Sequence, residues 1–185
     1  MSTRLPRFSI YFLATGLILQ LITYSIAPDS LLSLVSGLCG VCSVVLCSGA
    51  NIWTFAFGFA QILTYSYICL EEALYAEVAM NAFYFLSQFY GIYTWRRQIK
   101  NEVLVTRRLS YRQLSLLLVT LLGLSLLTGW GLGHWTNDSQ PYMDALTTVP
   151  AIAAQILMVS AYREQWLLWL VIDVASVVMW LRAGD

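Results

Sequence analysis

Charged side chains are absent from four long stretches of the chain, at 8–28, 30–70, 113–133 and 145–162. A helix that crosses a bilayer needs about 20 mostly apolar residues, so three of these stretches each hold one such helix and the second holds two. Hydrocarbon offers no water to a backbone N–H or C=O, and a helix satisfies both within itself. Short polar interruptions set the helix ends: Pro28-Asp29-Ser30, Ser48-Gly49-Ala50-Asn51, Glu71-Glu72 and Arg163-Glu164-Gln165. The pattern predicts seven helices, at 8–26, 31–48, 52–70, 74–96, 113–133, 142–161 and 166–182. The one long polar connection runs from 97 to 112.

Composition reinforces this reading. Of 185 residues, 59% are hydrophobic and 11% charged, against about 25% charged in a soluble domain. The fold class expected is all-α, a polytopic membrane bundle. Zero net charge argues against a nucleic-acid partner. The basic residues are nevertheless distributed unevenly. If spans alternate, one side receives Arg4, Arg7, Arg96, Arg97, Lys100, Arg107, Arg108, Arg112 and Arg163, and the other only Arg182. Basic residues concentrate on the cytoplasmic side, which predicts an inner-membrane protein with a cytoplasmic N-terminus and a cytoplasmic 97–112 loop. The first apolar run follows Arg4 and Arg7 but precedes no small-x-small cleavage site, so it is expected to stay as a signal anchor.

Little in the chain suggests an enzyme. The sole histidine, His134, falls in an external connection near Trp135 and Asp138, and neither H-E-x-x-H nor G-x-S-x-G occurs. Cys39 and Cys42 form a C-x-x-C without a nearby His or acidic partner, so they and Cys47 and Cys69 read as apolar packing residues. Neither a metal nor a cofactor is expected.

Polar side chains inside the spans are more informative, because an Asp at a helix centre costs about 2.5–3.5 kcal/mol on insertion scales. On the fourth helix Glu77, Asn81, Tyr84, Gln88, Gly91 and Trp95 recur every three or four residues and share one face. Such a stripe serves either a solute path or an interhelical network. On the last helix Trp166, Trp169, Asp173 and Ser176 share a face in the same way. Two indoles attract a flat cation by about 0.5–2 kcal/mol, and a carboxylate about 10 Å deeper than Trp166 neutralises it. Interfacial anchoring is the alternative role for the two tryptophans, but it leaves Asp173 unexplained. The sixth helix adds Asp144, Thr148, Ala151 and Gln155 beside Pro150, which favours a kink. Gly129 and Gly133 form a small-xxx-small packing pair.

A weak internal repeat at an offset of 113 residues superposes Trp53 on Trp166 and Gly37 on Pro150. The first repeat covers 31–96 and the incomplete second 142–182, with 113–133 linking them and 8–26 as an extra helix. The second lacks a partner for the 74–96 helix.

Two segments carry a resemblance. The run Asn81-Ala-Phe-Tyr84-Phe-Leu-Ser-Gln88-Phe-Tyr90-Gly91-Ile-Tyr93-Thr-Trp95 resembles the signature of the PnuC-type vitamin transporters, in which a helix ends in tyrosine-glycine-x-tyrosine-x-tryptophan. Glu164-Gln-Trp166-Leu-Leu-Trp169-Leu-Val-Ile-Asp173-Val is similar to that family's W-x-x-W helix. The likeness extends over about residues 30–182. It implies two three-helix bundles joined by a linking helix, as in the SWEET sugar transporters, and facilitated uptake of nicotinamide riboside with trapping by a cytoplasmic kinase. Sister branches imply thiamine or riboflavin instead, and relatives are expected to assemble as homo-oligomers. The solute contacts implied are Asn81, Tyr84 and Gln88 in the first bundle and Trp166, Trp169 and Asp173 in the second, with Trp53 as a further candidate. Asp173 stands where some relatives carry a neutral amide, and a carboxylate there suits a cationic ring. The family's final helix has no counterpart after Trp180, which leaves two expectations: either the sequence is truncated there, or the added 8–26 helix occupies the vacated place. A thiamine carrier and a truncated, non-transporting membrane protein are the alternatives.

Overall fold

The computed structural model describes residues 7–100, 103–136 and 140–183. Among them lie seven helices: α1 (Arg7–Ile26), α2 (Leu31–Ser48), α3 (Thr54–Glu71), α4 (Tyr75–Gln98), α5 (Tyr111–Trp135), α6 (Pro141–Val159) and α7 (Gln165–Ala183). Every boundary falls within two residues of the one expected from the pattern of apolar runs and polar breaks. Four helices (α1, α2, α5 and α6) are long and apolar enough to cross a membrane by length and composition, and α7 carries a shorter apolar stretch, Gln165–Val178. In α3 and α4 the apolar pattern is diluted by glutamine, asparagine and tyrosine. The chain is an all-α polytopic membrane protein.

The chain divides into two compact units at Val105 and Thr106. In the first, α1 packs on α2, α2 on α3 and α3 on α4. Helix α2 starts at Ser30, whose hydroxyl accepts the N–H of Ser33 at 3.0 Å and so satisfies a donor that the first turn leaves open. Asp29 accepts the N–H of Ser30 at 2.7 Å. The Ser33 hydroxyl, and then that backbone N–H, hold its carboxyl below the usual range.

Contacts between these helices use an amide against a glycine. Gln20 of α1 lies over Gly37 of α2, and Gln88 of α4 lies over Gly58 of α3. A Cβ at position 37 would collide with the Gln20 amide nitrogen, and one at position 58 would come within 2.6 Å of that of Gln88. Glycine is the residue that lets a bulky amide approach a neighbouring helix this closely. Between α2 and α3 the contact is polar: Ser43 Oγ donates to Thr54 O at 3.0 Å, and Thr54 Oγ1 donates back to Ser43 O at 2.9 Å. Rings join α3 to α4. Phe55 meets Trp95 edge-on at 5.0 Å, and Phe59 meets Phe85 at 5.2 Å and Phe89 at 5.0 Å.

The 97–112 connection holds more order than a loop. Helix α4 runs on to Gln98, and strands β1 (Ile99–Lys100) and β2 (Val103–Leu104) pair antiparallel, Ile99 opposite Leu104. Leu104 is buried while Val103 and Val105 are exposed, the period-two alternation of a half-buried strand.

In the second unit α5 packs on α6 and α6 on α7. A capping box starts α5: Gln113 N–H donates to Ser110 Oγ, and Gln113 Oε1 accepts the N–H of Ser110. Gly129 faces Tyr142 and Gly133 faces Pro141, so both glycines of the small-xxx-small pair receive the first turn of α6. Pro150 is buried in mid-helix. The strand-like segment at Arg107 docks on the α6–α7 turn. Arg107 N–H donates to Ala161 O at 2.8 Å, Arg163 N–H donates to Arg107 O at 3.2 Å, and the Arg107 guanidinium lies 5.1 Å from the Tyr162 ring centre.

Three helix ends share one stop. Ala50, Ala73 and Ala161 all have positive φ, at 52°, 57° and 60°. In each case the next residue reaches back five positions: Asn51 N–H to Leu46 O, Leu74 N–H to Cys69 O, and Tyr162 N–H to Leu157 O. This is the Schellman stop, which usually places glycine where these alanines stand. Ala161 lies 111 positions after Ala50. The two turns therefore register at 111 and not at 113, and Trp53 follows its turn by three residues whereas Trp166 follows its own by five. That displaces Trp53 from equivalence with Trp166.

Candidate solute-binding faces

The polar face of α4 is a real face. Asn81, Gln88, Gly91 and Trp95 are buried, Tyr84 is half-buried, and Glu77 at the first turn is exposed. On the opposite side Ala79 and Leu86 are exposed. Two of its polar groups differ in how they are satisfied. Asn81, 5% exposed, donates from Nδ2 to Glu77 O one turn back at 2.8 Å. Gln88, 4% exposed, keeps its Oε1 buried with no hydrogen-bond partner among the described residues. An acceptor left open in this way costs about 1–3 kcal/mol; Gln98 Oε1 at the end of α4 is likewise buried without a partner, so Gln88 is the residue of the polar face whose acceptor a donor on a ligand would satisfy.

Trp53 stands apart from these residues. It forms the N-cap position of α3, its backbone N–H donates to Asn51 Oδ1 at 3.0 Å, and the residue is 54% exposed. More than one helical turn separates it from Gly58, the level at which Gln88 sits. It lines instead a cavity of about 490 Å³ that also takes in Phe55, Phe59 and Arg96.

In the second unit, α7 buries the line Gln165, Leu168 and Ile172. The Trp166, Trp169, Asp173 and Ser176 line runs one residue further on and is more open: Trp166 and Asp173 are exposed, Trp169 and Ser176 half-buried. Asp173 makes no hydrogen bond or ion pair among the described residues. The indoles and the carboxylate thus stay available on one side of the helix, as a cation seat requires. On α6, Pro150, Ala151 and Gln155 are buried, Asp144 is half-buried and Thr148 exposed. Each set of expected contacts is brought onto a common face within its own unit: Asn81, Tyr84 and Gln88 on α4, and Trp166, Trp169 and Asp173 on α7.

Gly58, and the amides of Gln20 and Gln61, are missing from the sequence-based selection. Gln61 lies in ordinary contact with Gly40 of α2, at 3.5 Å from a Cβ there. The available signal was simple: each glutamine stands alone in a charge-free span. Among the described residues no group of three or more His, Cys, Asp or Glu side chains could hold a metal ion, and the four cysteines are free thiols. His134 belongs to a local stack, its ring 4.5 Å from that of Trp130 and its Nδ1 3.1 Å from Trp130 O. Asp138, its expected neighbour, lies outside the described residues.

Comparison with known proteins places these faces in context. The sequence profile of the nicotinamide mononucleotide transporter family matches residues 30–185. The nicotinamide riboside transporter PnuC of Haemophilus influenzae is 34% identical over 179 residues, covering 94% of this chain and 78% of that protein. The Neisseria mucosa PnuC is 29% identical over 184 residues, covering 95% and 69%, and that of Escherichia coli 30% over 176, covering 81% and 74%. A crystal structure of the vitamin B3 transporter PnuC superposes with a TM-score of 0.77 at 28% identity, covering 95% of this chain and 77% of that one.

Proposed function

The chain belongs to the nicotinamide mononucleotide transporter family, and from that premise we propose that it carries nicotinamide riboside across the bacterial inner membrane by facilitated diffusion. The observation that carries this reading is the Gln88 carbonyl, buried in a membrane helix without a donor. A nicotinamide carboxamide brings an N–H of the kind that group lacks. The substrate's ring is also a flat cation, and α7 offers such a ring two indole faces and the Asp173 carboxylate on one open side. Attraction by the indoles contributes about 0.5–2 kcal/mol, and Asp173 opposes the charge directly.

No pumping is required of the protein in this reading. A passive carrier equalises concentrations, so net uptake depends on removing the vitamin inside. Phosphorylation by a cytoplasmic kinase does so, because the added phosphate carries about two negative charges that the Asp173 face repels. The two repeated bundles, 31–96 and 142–182, are the elements between which such a carrier alternates.

Support for the orientation comes from the charge count. Nine of the ten basic residues fall on the side of the N-terminus if spans alternate. The contact of Arg107 with Ala161 and Tyr162 brings two of the loops assigned to that side together, and on this reading both are cytoplasmic.

Calorimetry on purified protein tests the choice of solute. Nicotinamide riboside should bind, and a Trp169→Ala, Asp173→Asn double variant should weaken binding by about tenfold or more, combining the loss of an indole and of a charge. Thiamine binding in place of nicotinamide riboside would transfer the same site to the other vitamin. No binding of either would overturn it.

A further inference from the structure

The cavity beside Trp53 fits a different ligand from the proposed solute. It lies entirely within the first unit, where the start of α3 meets the end of α4 and strand β1. Ile52, Trp53, Phe55, Phe59 and Ile92 supply its apolar wall, and Arg96 is the one charged residue among those that line it. Arg96 is exposed and makes no ion pair or hydrogen bond among the described residues. Its neighbour Arg97 is already engaged, its guanidinium 4.5 Å from the Tyr93 ring centre.

The lining decides what can sit there. At about 490 Å³ the space falls in the range of small-molecule sites. A pyridinium or thiazolium cation would meet the unpaired Arg96 and be repelled. A nucleotide would satisfy Arg96 with its phosphate, but its sugar and base would find almost no donors or acceptors on the wall and would lose the water that served them. An acyl chain needs none. The position agrees: exposed Trp53 at one helix end and Arg96, Arg97 and Lys100 at the other mark the level of the membrane–water interface. The positive end of the α3 dipole adds to the field at the same place.

We propose that this groove is a binding site for an anionic phospholipid, with the headgroup phosphate on Arg96 and an acyl chain along the Trp53, Phe55 and Phe59 wall. The site goes beyond solute transport and takes its ligand from the bilayer. Basic pockets between membrane helices hold acidic lipid headgroups by the same combination of charge and apolar wall. Lipid bound there ties α3 to α4 and to β1.

Native mass spectrometry of the detergent-purified protein tests this, with phosphatidylglycerol and phosphatidylcholine supplied in turn. Wild-type protein should retain phosphatidylglycerol in preference to phosphatidylcholine. Arg96→Gln should reduce that retention about fivefold, the weight of one basic residue near an acidic lipid, while Arg96→Lys retains most of it and Arg108→Gln is unchanged. Ala56 also lines the groove, so Ala56→Trp, which fills it and leaves Arg96 in place, should lose the lipid as well. Circular dichroism of each variant reports whether it is folded, and an unfolded variant is replaced by the other of the pair. Equal retention by wild type, Arg96→Gln and Ala56→Trp would overturn the proposal. So would retention without headgroup preference, or displacement of the lipid by a soluble nucleotide.

Discussion

At the residue scale, Gln88 is where stability and function pull apart. Its carbonyl is buried and unmet, and its amide nitrogen rests against the bare backbone of Gly58. Gln88→Leu removes the unmet acceptor and keeps most of the volume. Thermal unfolding should therefore occur at the same or a higher temperature, while nicotinamide riboside binding falls about tenfold or more. A variant that loses stability and binding together would instead make Gln88 a structural residue. Gly58→Ala acts on the same amide indirectly. The atom that a Cβ would strike is the far end of a flexible side chain, so the protein should fold, with a binding loss smaller than that of Gln88→Leu. Calorimetry on both variants ranks the two effects.

At the element scale the helices were legible in the sequence and their stops were not. Charge-free stretches located five of the seven, and the polar breaks bounded the other two, all to within two residues, because burying a charge in lipid is costly enough to write itself into composition. The period of three and four in Asn81, Tyr84 and Gln88, and in Trp166, Trp169 and Asp173, likewise placed each set on one helical face. The Schellman stops were invisible because alanine occupies the left-handed position where glycine would have flagged it. The β1–β2 hairpin was invisible because two residues per strand leave almost no period to detect. The displacement of Trp53 follows from the same blindness, since pairing it with Trp166 assumed turns of equal length. These alanines give a prediction of their own. An alanine at φ near 60° carries steric strain that glycine lacks, partly offset by the greater freedom of glycine in the unfolded chain. Ala161→Gly, and Ala50→Gly likewise, should raise stability by about 0.5–1 kcal/mol, read as a higher midpoint in thermal unfolding. A lower midpoint would show that the turn tolerates its alanine without strain.

Across the whole molecule, composition is what made the class readable: 59% hydrophobic and 11% charged residues leave a lipid-facing protein as the consistent outcome. Sidedness rests on the basic residues alone, and it is directly measurable. A single cysteine at Glu72 in a background stripped of the native four should react with an impermeant thiol reagent from outside intact cells, and one at Arg108 only after the membrane is opened. The reverse pattern would invert the orientation. The chain spans 69–78% of the PnuC proteins it resembles, and its α4 and α7 faces carry the residues on which the transport reading depends. Uptake of radiolabelled nicotinamide riboside into proteoliposomes, with no ion gradient and no kinase, tests that reading most directly. The label should rise to the outside concentration and stop there, and the Trp169→Ala, Asp173→Asn variant should fall to the level of empty vesicles. Uptake no greater than in protein-free vesicles, or uptake that the double variant leaves unchanged, would contradict it.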